Sequence, residues 1–230
     1  MKQKNKLRDM PVRPLLYTMA VPLMFSLLIQ SLYNIVDSIF VAKLSETALT
    51  AASLVYAIQF LMIAIGVGTA VGLNALLSQK LGQKKHEEAC RVATTGLFLM
   101  IATSVVFSWS GVFFSKQIAM FLSKDIELQQ LCNEYVSINL IFCYGIFLQT
   151  YGQRLLQAVG DTLLSMFSLI IGAIVNIILD PVMILMLGWG VTGAALATII
   201  GNIAACLFYL QYFLRKKSTL TISLKYFKIG

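Results

Sequence analysis

Six apolar stretches, each long enough to cross a bilayer, occupy residues 15–41, 47–79, 89–113, 129–157, 162–187 and 190–214. They leave almost nothing for a soluble domain. A helix that spans hydrocarbon needs about 20 mostly apolar residues, because no water is present to pair its backbone groups. The runs are continuous instead of alternating with period two, which excludes an outer-membrane barrel and predicts helices. Composition agrees: 58% of residues are hydrophobic and 12% charged, with a mean hydropathy of +0.81. The expected fold class is all-α integral membrane, a six-transmembrane-helix bundle. The basic start and apolar core of "MKQKNKLRDMPVRPLLYTMAVPLMF" resemble a signal peptide, but the apolar run is too long and no small-residue cleavage site follows, so it reads as an uncleaved first span.

Orientation follows from the basic residues, which accumulate in cytoplasmic loops. Lys2, Lys4, Lys6, Arg8 and Arg13 precede the first span. Lys80, Lys84, Lys85 and Arg91 bracket the second turn, Arg154 ends the fourth span, and Arg215, Lys216, Lys217, Lys225 and Lys228 follow the sixth. Only Lys43, Lys116 and Lys124 fall on the other side. Both termini are therefore expected in the cytoplasm. The net charge of +8 is explained by basic residues facing anionic lipid, so the bilayer is the expected partner and no nucleic acid is. His86 falls in a charged turn, and Cys90, Cys132, Cys143 and Cys206 are scattered without metal-ligand spacing, as packing residues would be. Loops are short; the segment 115–127 has some amphipathic character and predicts a short helix at the outer interface. Gly68 and Gly72 in the second span, and Gly193, Ala197 and Gly201 in the sixth, predict places of close helix approach.

Two acids lie inside apolar spans: Asp37 in the first and Asp180 in the fifth, within "VNIILDPVMILM". An ionised acid near the bilayer centre costs about 2.5–3.5 kcal/mol on insertion scales, so such residues are rare and usually functional. Both sit six to eight residues before the outer end of their span, roughly 10 Å below the surface at 1.5 Å rise per residue. Neither span contains a basic residue to serve as counter-ion. Three arrangements remain open: a carboxyl held neutral by desolvation, two carboxyls sharing a proton, or a bound metal cation. Each describes a cation-dependent site. Asn176 shares a helical face with Asp180, Tyr33 shares one with Asp37, and Thr198 lies about 12 Å deep in the sixth span, in the same layer. Carboxylate, amide and hydroxyl oxygens at one depth form a plausible ligand set for a hard cation such as Na+, at Asp37, Asn176, Asp180 and Thr198.

Pro181 lacks an N–H and frees the carbonyl of Ile177; Pro22 frees that of Thr18 and marks a place where the first helix can bend. A faint internal echo accompanies these features. Spans one and two, and spans five and six, both place Asn-Ile before the acid and Ala-Ala fourteen residues beyond it.

The segments "PLMFSLLIQSLYNIVDSIFVAKL", "GLNALLSQKLGQKK" and "QAVGDTLLSMFSLIIGAIVNIILDPVMILMLGWGVTGAALAT" resemble, in order, the multidrug and toxic compound extrusion (MATE) family. The resemblance covers the whole chain. It implies an antiporter that expels small amphipathic, often cationic, drug-like compounds while protons or sodium ions move inward, with no cofactor other than that coupling ion. It implies two six-helix lobes, of which residues 15–214 form the N-terminal one, residues 1–14 a basic cytoplasmic N-terminus, and 215–230 a cytoplasmic tail or the start of an inter-lobe linker. Pro22, Tyr33, Asp37, Asn176, Asp180 and Thr198 fall on positions resembling the family's N-lobe cation site and bending first helix. The expected location is the plasma membrane of a bacterium. The length matches one lobe of a 12-helix transporter, so the chain is expected to need a second six-helix lobe, either a missing C-terminal half or a parallel second copy.

Two rival functions remain. A flippase of lipid-linked oligosaccharides would call for a cationic cavity, which these spans do not supply, and a non-transporting membrane scaffold would use the half-size bundle alone. An enzyme is not expected, since the chain has no HExxH, no histidine-paired nucleophile and no phosphate-binding loop.

Overall fold

The computed structural model describes residues 10–215. Seven α-helices follow in order: α1 Val12–Ala42, α2 Glu46–Gly82, α3 His86–Leu122, α4 Ile126–Ile141, α5 Tyr144–Ala158, α6 Thr162–Pro181, continued by a π-helical turn Val182–Met186, and α7 Gly190–Arg215. Among the described residues five of these are long and apolar enough to cross a membrane, and α4 with α5, bent by 47°, passes the same test when the two are counted as one broken span. Each expected apolar stretch is thus helical. The basic tail expected at 215–230 lies outside the described residues apart from Arg215, which closes α7, and the lysines before residue 10 lie outside them too.

Short polar turns join the spans because their sequences carry caps. Ser45 accepts the amide of Ala48 at 2.9 Å to start α2, and Asp125 accepts those of Glu127 and Leu128 at 2.9 and 3.4 Å to start α4. Gly160 and Gly188 turn the chain at φ +83° and +66°, where a side chain would be strained. The end of the bundle holding the α2–α3 turn is basic, and its charges pair locally: Lys80 and Lys85 with Glu88, and Arg91 with Glu87.

The expectation for 115–127 is corrected. Residues 115–122 form no separate interfacial helix; α3 runs on to Leu122, since Gly111, Ser115 and Ala119 continue a buried stripe at four-residue spacing. The small side chains let α3 press on α4, and a Cβ at Gly111 would lie only 2.6 Å from that of Leu140. The fourth apolar stretch is divided between α4 and α5. At its break, Ser108 of α3 donates to the carbonyl of Ile141 at 3.0 Å, an acceptor that the interrupted ladder releases, and the Cys143 thiol donates in turn to the α3 carbonyl of Ser104 at 3.2 Å.

The core is packed by contact and interhelical polar bonds, because lipid supplies no hydrophobic drive between helices. Phe147 stacks on Phe107 at 5.7 Å, Tyr151 donates to the carbonyl of Ala93 at 2.9 Å, and Asn74 donates to that of Arg154 at 2.7 Å. Gly68 and Gly72 do not mark close approach: nothing lies within 4 Å of a Cβ built at either. Gly201 does, against α6, and Gly193 does, against the π-helical turn.

Candidate functional site

α6 and α7 lie side by side, with α1 packed along α6. This arrangement brings the predicted residues of three separate spans into one layer, away from the basic end. Asp180 is fully buried and Asn176 is 3% exposed. The Asn176 amide nitrogen lies 3.3 Å from Asp180 Oδ1 and 3.3 Å from Thr198 Oγ1. Rotating the amide gives the better network: its nitrogen then donates to Asp180 Oδ2 at 3.2 Å, and its oxygen accepts the Thr198 backbone N–H at 3.2 Å. In either orientation the amide donates to the carboxylate and reaches Thr198. The Thr198 hydroxyl itself donates to the carbonyl of Ala194 at 3.1 Å.

Asp37 faces this group from α1, half-buried, and its charge is within electrostatic range of Asp180. Its Oδ1 is buried and meets no hydrogen-bond donor among the described residues. Tyr33, one turn before it, lies within electrostatic range of both carboxyls. Among the described residues no ion pair reaches either acid; the charged pairs lie at the basic end. The two acids therefore share a layer without a fixed cation, the condition that makes a mobile one favourable.

Sequence reasoning overlooked part of the layer. Tyr135 on α4 is 4% exposed and in electrostatic range of Asp37, Asp180 and Tyr33, with Gln59 of α2 beside its hydroxyl. Gln59 also donates to Asn139 at 2.9 Å, joining α2 to α4. Depth was the available signal: Tyr135 is nine residues into α4, roughly 13 Å along its axis. A third acid, Glu134, was also missed. It is exposed on α4, and its Oε2 accepts the hydroxyl of Thr192 at 3.3 Å.

The two prolines are placed differently. Pro22 is buried inside the unbroken α1, and the carbonyl it frees, that of Thr18, accepts the Thr162 hydroxyl of α6 at 3.4 Å. Pro181 closes α6, and beyond it the backbone widens into the π-helical turn, where Leu187 N–H bonds to the carbonyl of Val182 at 2.9 Å. Such widening re-satisfies backbone groups near a helix-breaking residue in a membrane and often falls at functional sites.

Residues 22–182 match the family described as MatE. The multidrug export protein MepA of Staphylococcus aureus (strain bovine RF122 / ET3-1) is 27% identical over 216 residues, covering 94% of this chain and 48% of MepA. The chain thus spans about half the length of the curated relatives it matches. A multidrug resistance MATE family transporter of the MOP superfamily in its outward-facing conformation superposes with a TM-score of 0.94 at 26% identity, covering 100% of this chain and 51% of that one. An inward-facing conformation of such a transporter gives 0.81 at 28% identity, covering 92% and 49%. The apolar helical spans, the lobe-sized superposition and a family match across most of the chain agree: this chain belongs to the MatE family.

Proposed function

We propose that the chain is the cation-handling lobe of an antiporter that exports amphipathic, often cationic compounds while protons or sodium ions move inward. The observation that carries this reading is the pair of half-buried Asp37 and fully buried Asp180, within electrostatic range of each other and unaccompanied by any ion pair among the described residues. An inward-moving cation binds at Asp37 and Asp180, helped by Asn176 and Thr198, and cancels their repulsion. With that repulsion gone, α1 bends near Pro22, the lobe cavity shrinks, and the cargo leaves on the outer side. A cation crossing 100 mV releases about 2.3 kcal/mol, enough to bias such an exchange.

Tyr33 lies one turn before Asp37 on α1 and supports the layer from there, while Pro181 and the π-turn end α6 one residue beyond Asp180. The lobe works beside a second six-helix unit, either a C-terminal half or a parallel copy, in the plasma membrane of a bacterium with both termini cytoplasmic. Similarity to the export protein MepA supports the cargo class, and the scarcity of basic residues in the spans favours a positively charged cargo over an anionic one.

Ethidium efflux driven by an imposed proton or sodium gradient tests the proposal. The chain is assayed in proteoliposomes, alone and co-reconstituted with a second six-helix unit, and Asp37→Asn and Asp180→Asn are each expected to abolish the gradient-dependent component. Gradient-dependent efflux that survives both substitutions refutes the role of the pair.

A further inference from the structure

The Asn176 bridge depends on how closely α7 approaches α6, and two glycines of α7 set that approach on either side of Thr198. At Gly201, three residues beyond Thr198, a Cβ would lie 2.7 Å from the carbonyl oxygen of Gly172 and 3.3 Å from the Cβ of Asn176. At Gly193, five residues before Thr198, it would lie 2.8 Å from the backbone carbon and oxygen of Met183, in the π-turn. In both places the obstacle is backbone, which no rotamer change relieves. Ala197, fully buried between them, leaves the same seam narrow.

We infer that Gly201 is a positioning residue of the carboxylate layer: by letting the α7 backbone rest on Gly172, it holds Thr198 within reach of Asn176 and so presents the Asn176 amide to Asp180. This rests on the cation-site reading above. Ordinary contact for a Cβ begins at 3.4 Å, so an alanine at 201 opens the seam by roughly 0.7 Å, and the 3.3 Å between Asn176 and Thr198 becomes about 4.0 Å, beyond hydrogen-bonding range. Thr198 then no longer shares the amide, and Asn176 loses the support that aims it at Asp180. Gly68 provides an internal control, since the same substitution there meets nothing within 4 Å.

The test uses the full chain in lipid nanodiscs, with the thermal unfolding midpoint followed against NaCl at constant ionic strength (choline as replacement) and separately against pH. The dependence of the midpoint on ligand concentration reports apparent affinity. For whichever cation stabilises the wild-type chain, Gly201→Ala is expected to weaken apparent affinity about tenfold while Gly68→Ala leaves it unchanged. A positioning role also predicts non-additivity: in an Asn176→Ala background, which already lacks the bridging amide, Gly201→Ala weakens affinity little further. Unchanged affinity in Gly201→Ala, or full additivity with Asn176→Ala, overturns the inference while the cation site stands. If the wild-type midpoint responds to neither cation, the site reading fails and the inference falls with it. Should Gly201→Ala not fold, Gly172→Ala takes its place, because its Cβ meets the Gly201 oxygen at 3.0 Å from the other side and opens the same seam less; about threefold weakening is expected, and none overturns the inference.

Discussion

Replacing Thr162 by valine tests how α1 is held at its proline. A helical carbonyl four residues before a proline has no N–H to accept, and inside lipid no water replaces it. Here Thr18 is that residue, and the Thr162 hydroxyl at the first position of α6 donates to it at 3.4 Å. Valine keeps the shape and removes the donor. Interhelical polar bonds in membranes are worth about 0.6 kcal/mol on average, and an acceptor left bare costs about 1–3 kcal/mol, so a long bond of this kind supports roughly 1 kcal/mol. If the bond exists only while α1 is straight, its loss shifts the bending equilibrium about fivefold toward the bent form. The assay is a spin-label distance in proteoliposomes between Ser38, in the exposed half of α1 beyond Pro22, and Val106 on α3, with Leu16 to Val106 reporting the other half. Thr162→Val should broaden the Ser38 distribution and leave the Leu16 one in place, and Thr162→Ser should restore the wild-type pattern. Identical Ser38 distributions in all three proteins, or movement confined to Leu16, would refute the reasoning.

Other outcomes follow from the same packing. Asn176→Ala removes the only side-chain hydrogen bond described for Asp180 and should weaken cation-dependent stabilisation in the nanodisc titration, whereas Asn202→Ala, one turn beyond Thr198 on α7, should not. Gly111→Ala drives a Cβ to 2.6 Å from Leu140 and 3.0 Å from the Ile141 amide, and should destabilise the chain by about 1–3 kcal/mol in a detergent unfolding titration. Gly72→Ala, with open space around it, should be neutral or slightly stabilising in the same titration. Ser45→Ala removes the cap of α2 and should cost about 1 kcal/mol, seen as faster amide exchange at Thr47 and Ala48.

What the sequence settles about this protein is what lipid imposes locally. Long apolar runs are helices because the backbone has nowhere else to bond, so the span positions were legible to within a few residues, except where α3 runs nine residues further than its apolar stretch. Unpaired acids stood out for the same reason, and helical rise alone placed Asp37, Asp180 and Thr198 at matching depth. Tertiary structure decided what depth along one helix does not encode, namely which faces turn toward each other. Tyr135 and Gln59 join the layer only because α2 and α4 pack beside it, and Gly68 lies open while Gly201 is pressed against backbone, although both are glycines in apolar helices. The bend at Cys143 likewise belongs to two spans at once, since the Ser108 hydroxyl of α3 donates to the Ile141 carbonyl it releases and the Cys143 thiol donates to the Ser104 carbonyl of α3. A residue's depth follows from its distance to a helix end, whereas its neighbours follow from helix rotation and crossing, which are set by many small contacts between chain segments far apart in sequence.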